Sequence, residues 1–331
     1  MSAKTPTFAL LLITSTLLTT LSMNTLFVWV MLELNMLAFI PLMHTNNSTL
    51  ETEASIKYLI PQLFASSLFM AAILLMPMTP NSKMLTTAAL IMKLGSVPLH
   101  TWFPIVMQSI NLIPGFILTT WQKLAPILLL TTPNLAFTPM VILSAVMSAM
   151  WGSLAGLNQT NLLKLMAFSS INHLSWLLMA SLFNPMIPLI YLVFYSASAL
   201  PIFTYLQTPT IKTYNTTLLP PPNNFTQLTL ITSMLSLASL PPLAMFLNKL
   251  PIIMLMVKAN ELIMPLMALL LSSAISLYFY LSLVIMLTLN FNTSPNPALQ
   301  NPLSTLKSTL YIISMTLQSS TLPLWLANQI A

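Results

Sequence analysis

The sequence predicts an all-α fold, a polytopic membrane bundle of about eleven transmembrane helices. Only 4% of its 331 residues are charged, whereas soluble domains carry roughly 25%, so the chain cannot cover itself with a solvated surface. Hydrophobic residues make up 56% of the chain, and the mean hydropathy is +0.87. The apolar stretches approach the roughly 20 residues that span a bilayer as a helix, and they lack the alternation of barrel strands.

Short polar or Pro-rich breaks divide the chain into the eleven predicted helices. The first stretch follows Lys4 and resembles the start of a signal peptide, but no clear small-residue cleavage site follows it, so we interpret it as the first span. The most polar breaks are HTNNSTLE, LNQTN and TYNTTLLPPPNN. The helices are predicted near residues 5–21, 26–43, 54–75, 83–107, 114–131, 138–156, 161–182, 186–206, 225–256, 261–288 and 303–327.

Two of these helices contain residues that interrupt a helix. Gly95 and Pro98 interrupt the fourth helix, and Pro241 and Pro242 interrupt the ninth. The fourth and ninth helices are each the fourth member of a set of five helices. Because five is an odd number of spans, the second set would cross the membrane in the opposite direction to the first. Paired broken helices in inverted halves point to a transport site, although proline also kinks ordinary membrane helices. We predict one transmembrane domain with inverted five-helix repeats and an extra C-terminal helix, over residues 1–331, with the repeats at 1–131 and 138–288 and the extra helix at 303–327.

The lysines near helix ends predict the orientation, because Lys and Arg in short loops favour the side from which insertion occurred. Lys83 and Lys258 fall on the side opposite the N-terminus. Five lysines fall on the N-terminal side: Lys4, Lys57, Lys164, Lys212 and Lys307. This distribution predicts that the N-terminus lies inside.

The composition excludes several classes of function for this chain. The connections are too short for an NADH site, a flavin pocket or a DNA groove, and the lysines form no basic run. The absence of cysteine excludes disulfides, thiolate metal sites and iron–sulfur ligation. No His, Glu or Met cluster has the spacing of metal ligands. We therefore expect neither a metal ion nor nucleic acid to bind.

Five ionisable residues fall well inside the predicted spans: Glu33, Lys93, Lys123, His173 and Lys249. A lysine at the centre of a span costs about 2.5–3.5 kcal/mol on insertion scales, so it needs a partner, a water-filled cavity or a function. Amines and carboxyls in apolar surroundings can exchange protons near neutral pH. A row of lysines separated by water, with a carboxylate at one end, is a physically sensible proton relay.

Each of these residues also has a purely structural interpretation. A lysine can extend its long stem to the membrane surface, which is the preferred interpretation for the lysines nearer to helix ends. Glu33 could hold two helices together through a buried ion pair. His173 could be a hydrogen-bonded packing residue, and for His100, a weaker candidate beside the first break, packing is the preferred interpretation.

Six segments of the chain occur in an order typical of one membrane-protein family, and TWQKLAP and GLNQT followed by a lysine are specific strings. The segments are LELNMLAFIPLM, TEASIKYLIPQLFAS, MKLGSVPLHTWFP, TWQKLAP, GLNQTNLLKLMAFSSINHLSW and SLPPLAMFLNK. Together they resemble the chain 2 family of mitochondrial NADH-ubiquinone oxidoreductase, which are antiporter-like membrane subunits of respiratory complex I. The likeness covers nearly the whole chain.

The resemblance implies a shortened form with eleven helices that moves protons across the mitochondrial inner membrane, with its N-terminus on the matrix side. It implies that the partners are other membrane subunits of complex I and the lipid bilayer. It also implies that this chain binds no cofactor, since NADH, FMN, iron–sulfur clusters and ubiquinone are expected on other subunits.

The resemblance also assigns roles residue by residue. The family's membrane carboxylate matches Glu33, which pairs with the lysine of the first broken helix, Lys93. The central lysine matches Lys123, the lysine of the second broken helix matches Lys249, and the histidine of an HxxW string matches His173. Family members often have glycines around the proline pair of the second break, so the flexibility of that break is in question here, where the chain has Ala238, Ser239, Ala244 and Met245.

The resulting hypothesis is a subunit of the proton-translocating NADH:ubiquinone reductase. In it, Lys123 stores a proton near the membrane centre, Lys93 tunes Lys123 through its contact with Glu33, and Lys249 passes protons onward. Two alternatives stay open. One is a free-standing cation/proton antiporter, and the other is a membrane scaffold whose buried charges only hold helices together.

Overall fold

The computed structural model describes residues 5–44, 48–76, 82–206, 224–241, 243–291, 309 and 311–316. Within these residues the chain forms helices and short connections and no β-strand, which confirms the all-α prediction. Residues 311–316 are helical. The thirteen α-helices before them are α1 Thr5–Leu21, α2 Thr25–Met43, α3 Thr49–Leu75, α4 Ser82–Leu94, α5 Trp102–Ser109, α6 Leu112–Thr119, α7 Leu124–Leu130, α8 Thr138–Leu157, α9 Leu162–Ser181, α10 Met186–Leu206, α11 Asn224–Leu237, α12 Ala244–Lys258 and α13 Ile263–Phe291.

Seven helical stretches of the described residues are long and apolar enough to cross a membrane. They include α2, α3, α8, α9 and α10, together with Leu112–Leu130 and Asn260–Thr288. The remaining predicted spans are either shorter, like α1, or divided. The predicted helix 303–327 is described only at 309 and 311–316, and Lys4, Lys212, Pro242 and Lys307 lie outside the described residues. The count of eleven spans and the inverted repeats therefore stay predictions.

The structure shows both of the interruptions that Gly and Pro residues predict, and the first half of each broken helix ends in the same way. At the first break, Gly95 N–H donates to the Met92 carbonyl and Ser96 N–H donates to the Ile91 carbonyl. At the second, Ser239 N–H donates to Ser236 and Leu240 N–H donates to Leu235. This pair of hydrogen bonds is the Schellman motif, whose C′ residue is left-handed, and the φ angles are +70° at Gly95 and +61° at Ser239.

The predicted helix 114–131 matches the helical stretch Leu112–Leu130, but this stretch contains an interruption that the sequence analysis did not predict. A 3₁₀ turn over Trp121–Lys123 separates α6 from α7. Pro126 explains this break: it has no N–H to donate to the carbonyl of Gln122, and its ring would clash with that carbonyl in a regular helix. The tighter turn relieves the conflict and places Lys123 at the interruption.

Helix α9 forms the centre of the bundle, since nearly all of its side chains are buried. It contacts α5, α7, α8, α10, α12 and α13. Its closest neighbour is α8, whose buried face carries small residues, including Gly152 and Gly156. An added Cβ at Gly152 would lie 2.9 Å from the backbone nitrogen of Asn172, so the two helix backbones touch there, as small residues permit in membranes.

Candidate functional site

Glu33 and Lys93 form one end of the candidate site. Lys93 is buried in the last turn of α4, and its backbone carbonyl accepts a hydrogen bond of 3.1 Å from Nε2 of Gln62 on α3. Glu33 is half-buried in the middle of α2, and its Oε2 atom is buried without a hydrogen-bond partner.

Glu33 and Lys93 interact electrostatically, but they form no ion pair in the described part of the chain. The pairing that the resemblance implies stays a prediction. Lys93 lines a cavity between the helices, and Glu33 is not part of the lining of that cavity. Glu33 acts on Lys93 electrostatically.

The cavity lies between Lys93 and Lys123 and has a volume of about 20 Å³. Three buried polar atoms of its lining have no hydrogen-bond partner among the described residues: Oδ1 of Asn35, Nε1 of Trp102 and Nε2 of Gln122. A volume of this size is enough for about one water molecule, provided that polar groups hold it. The cavity therefore suits a water that bridges the two lysines.

Lys123 is positioned by the 3₁₀ turn and by contacts with three other helices. It is buried, and its Nζ donates a hydrogen bond of 3.0 Å to the backbone carbonyl of Ser170 on α9. The same Nζ lies 5.6 Å from the ring centroids of both Phe103 on α5 and Tyr195 on α10. Aromatic faces attract a desolvated cation, so these contacts favour the protonated form of the Lys123 amine.

His173 lies between Lys123 and Lys249. It is buried on α9, and both lysines act on it electrostatically. Its Nδ1 atom is 2.8 Å from the hydroxyl of Tyr191 on α10, and its ring lies beside the backbone of Leu237, at the end of α11. His173 therefore connects the central lysine with the second broken helix.

Lys249 forms the other end of the site. It is buried in the second turn of α12, directly after the second break, and its Nζ lies 4.9 Å from the ring centroid of Trp176 on α9. Trp176 is one turn along α9 from His173, so one helix carries contacts to two members of the row. The structure thus places Lys93, Lys123, His173 and Lys249 in sequence across the bundle interior.

His100 does not join this row. Its ring nitrogen Nδ1 lies 3.3 Å from the carbonyl of Pro98, and its ring packs edge-on against Trp151 at 5.9 Å. Trp151 is more than half exposed on the outside of the bundle. These contacts are those of a packing residue beside the break.

The sequence reasoning missed the neutral residues that surround the row. Gln62 and Gln122 line the cavity, and Tyr191 binds His173. A signal for the tyrosine was present, because Tyr191 and Tyr195 are four residues apart and so share one face of a helix. In the described residues no group of three or more His, Cys, Asp or Glu side chains suits a metal ion.

Comparison with known proteins decides the family. A family model described as the transmembrane part of NADH:quinone oxidoreductases and Mrp antiporters matches residues 77–276. NADH-ubiquinone oxidoreductase chain 2 of Anopheles gambiae is 38% identical over 287 residues, which cover 83% of this chain and 83% of the relative. The chain belongs to the NADH-ubiquinone oxidoreductase chain 2 family. The resemblance seen in the sequence is thereby confirmed.

Solved structures show that this member of the chain 2 family has the same fold as single chains of larger membrane assemblies. A chain of respiratory complex I from Thermus thermophilus with bound aureothin superposes with a TM-score of 0.81 at 24% identity, covering 94% of this chain and 76% of that chain. A chain of the Mrp complex from Dietzia sp. DQ12-45-1b gives a TM-score of 0.76 at 15% identity, covering 98% and 75%. Together with its apolar helices, the family makes this chain a multi-pass membrane protein.

Proposed function

We propose that this chain is a proton-translocating membrane subunit of a respiratory NADH:ubiquinone oxidoreductase in the mitochondrial inner membrane. Its N-terminus lies on the matrix side, and other membrane subunits of the complex and the lipid bilayer surround it. NADH, FMN, iron–sulfur clusters and ubiquinone are bound by other subunits. Membership of the chain 2 family supports the proposal.

The observation that carries the proposal is the row of buried lysines and one buried histidine. Lys93 and Lys123 line one water-sized cavity, and His173 lies in the electric field of both Lys123 and Lys249. Buried amines in a membrane interior are costly, so three lysines that form no ion pair with a carboxylate among the described residues are better explained by proton transfer than by structural stabilisation.

In the proposed mechanism, Lys123 holds a proton at the centre of the row. The Ser170 carbonyl and the two aromatic faces stabilise its ammonium form. Glu33 changes the energy of a proton on Lys93 through its field, and Lys93 exchanges that proton with Lys123 across the cavity. His173 passes the proton from Lys123 toward Lys249, because its imidazole can accept a proton on one nitrogen and release one from the other.

Replacement of the central lysine tests the proposal. In assembled complex, Lys123→Ala should lower the measured proton-to-electron ratio and the coupled activity, the latter by at least about tenfold, since a positioned proton-transfer group contributes roughly 10²- to 10⁴-fold. Lys83→Ala is the matched control, because Lys83 is exposed and its amine donates to the Pro133 carbonyl, away from the row. An unchanged ratio and activity in Lys123→Ala would sink the proposal.

A free-standing cation/proton antiporter is the second candidate, because the matching family model also covers Mrp antiporters and the Mrp chain shares the fold. Gentle extraction of the native membrane, followed by mass spectrometry of native-gel bands, separates the two. Co-migration with flavin and iron–sulfur subunits supports the respiratory subunit. Migration alone, with sodium- or potassium-driven proton exchange after reconstitution, supports the antiporter.

A further inference from the structure

Four buried polar side chains share one face of the first half of α3: Glu51, Ser55, Tyr58 and Gln62. Their spacing of four, three and four residues places them within about 60° of each other around the helix. Together these four side chains form a polar stripe, which extends about 16 Å along the helix axis. The outward face of the same helix is apolar and exposed in the usual way for a membrane span, for example at Ile60 and Phe64. The polar face is therefore directed into the bundle.

The same face changes character beyond Gln62. The next buried positions on it are Ala65, Phe69, Ala72 and Ile73, which have no polar side-chain atoms. Ser66, at the edge of the face, donates its hydroxyl to the Leu63 carbonyl of its own helix, and Ser55 donates in the same way to the Thr52 carbonyl, a bond that it must exchange for one to water when it relays a proton. The buried face of α3 is thus polar from the N-terminal end of the helix to its middle. Beyond the middle, the same face is packed with apolar side chains.

The inner end of the stripe joins the candidate site. Tyr58 and Gln62 line the cavity that Lys93 and Lys123 share, and Gln62 also donates to the Lys93 carbonyl. Tyr58 is walled by aromatic rings, with Phe39 at 5.3 Å and Trp102 at 5.7 Å between centroids. Both of these rings are themselves buried.

The outer end of the stripe lies at the end of the bundle where α3 begins. Glu51 is in the first turn of α3 and only 2% exposed, although its neighbours Thr49 and Glu53 are exposed. Nδ2 of Asn111, the residue before α6, donates a hydrogen bond to Oε1 of Glu51. Glu51 therefore places a carboxyl group at the outer end of the stripe.

We infer that Glu51 takes up protons from the aqueous phase at the end of the bundle where α3 begins, and that the stripe conducts them to the Lys93–Lys123 cavity. A proton binds the Glu51 carboxylate and leaves it along bridging waters. The hydroxyls of Ser55 and Tyr58 each accept the incoming proton and release their own, so their charge does not change.

The Gln62 amide releases no proton; it holds the last water against the cavity, and the proton ends on a lysine amine. Successive members of the stripe are about 4.5–6 Å apart along the helix axis, so the proposed route uses bridging waters between neighbouring side chains. Because the face beyond Gln62 is apolar, the route opens to one side of the membrane only. This inference rests on the proposed function.

Glu51→Gln in the assembled complex tests the route. The amide keeps an oxygen that can accept from Asn111, so the contact between α3 and α6 survives while the proton-binding carboxylate is lost. We expect coupled turnover to fall by at least about tenfold, and Glu51→Asp to retain most of it. Added formate, a small weak acid, should restore turnover in Glu51→Gln, because it can deliver protons where the carboxylate is missing but cannot repair packing.

Two controls separate uptake from a structural role. Glu53→Gln alters an exposed glutamate that pairs with Lys57 at 3.2 Å and should leave turnover unchanged. Asn111→Ala breaks the helix contact but keeps the carboxylate, so it should lower turnover much less than Glu51→Gln. If Asn111→Ala and Glu51→Gln are equally impaired and formate restores neither, Glu51 is structural and the inference is overturned.

The Lys123→Ala result distinguishes this inference from the function on which it rests. Full turnover in Glu51→Gln together with a loss in Lys123→Ala overturns the uptake route and leaves proton translocation in place. Full turnover in both variants overturns the proposed function itself. A loss in Glu51→Gln that formate restores, together with a loss in Lys123→Ala that formate does not restore, supports both.

Discussion

Lys93 and Lys123 line one cavity of about 20 Å³ although they belong to separate helical segments. One is in the last turn before the first break, and the other ends the 3₁₀ turn that Pro126 imposes. A water in a space of this size would contact both amines. The two lysines therefore belong to one site.

This relationship predicts that the effects of replacing the two lysines are not additive. Lys93→Met and Lys123→Met should each lower the proton-to-electron ratio, and the double variant should be close to the more severe single variant, because residues that share a site are coupled. The measurement is coupled NADH oxidation with simultaneous proton release in membrane vesicles. Lys83→Met combined with Lys123→Met is the control and should show additive effects; additive losses in the Lys93 pair would contradict the shared cavity.

The all-α membrane fold was predictable from the sequence because it depends on composition and on the lengths of apolar stretches, which tertiary contacts hardly change. The positions of the breaks at Gly95 and Pro241 were also predictable, since these residues limit the backbone locally. The third break was missed although Pro126 is visible in the sequence. Pro126 lies inside the predicted helix 114–131, where a proline commonly only kinks a membrane helix, and only the structure shows that a 3₁₀ turn forms there.

The row of buried bases was predictable because an ionisable group within an apolar span stands out in sequence. The lack of an ion pair between Glu33 and Lys93 was not predictable, because it depends on which way a long lysine stem turns. Neutral groups such as Gln62 and Tyr191 were missed for another reason: polar uncharged residues are frequent in this chain, and only burial and contact distinguish the ones that matter.

Tyr191→Phe tests how His173 is held. The hydroxyl is 2.8 Å from Nδ1 of the imidazole, and such a hydrogen bond fixes which ring nitrogen carries the proton. Its loss should destabilise the subunit by only about 0.5–1.5 kcal/mol but should lower coupled turnover several-fold. Tyr278→Phe, at an exposed tyrosine, is the control. Equal turnover in the two variants would show that Tyr191 only fills space.

Gly152→Ala tests the contact between α8 and α9. An added Cβ would lie 2.9 Å from the Asn172 backbone nitrogen, so α9 must shift, and overpacking of this kind costs about 1–3 kcal/mol. Because α9 carries Ser170 and His173, we expect less assembled complex on native gels and lower turnover per assembled complex.

Gly156→Ala is the matched control for that contact. There the nearest atom to the added Cβ is a ring carbon of Phe279 at 3.1 Å, and a side chain can move more easily than a backbone. Gly156→Ala should therefore assemble better than Gly152→Ala. If the order were reversed, the close approach of the two backbones would not limit assembly.

Ser239→Gly tests the cap of the second break. Ser239 has a φ of +61°, a left-handed conformation that costs a residue with a Cβ about 1–2 kcal/mol, whereas glycine adopts it freely. Gly95 already provides that freedom at the first break. We therefore expect Ser239→Gly to raise the midpoint of thermal inactivation of the assembled complex. Ser236→Gly, one turn earlier in α11, should lower it, because glycine weakens a regular helix by about 1 kcal/mol. A lower midpoint in both variants would mean that the Ser239 side chain stabilises the break. The absence of glycine at this position would then not destabilise the protein.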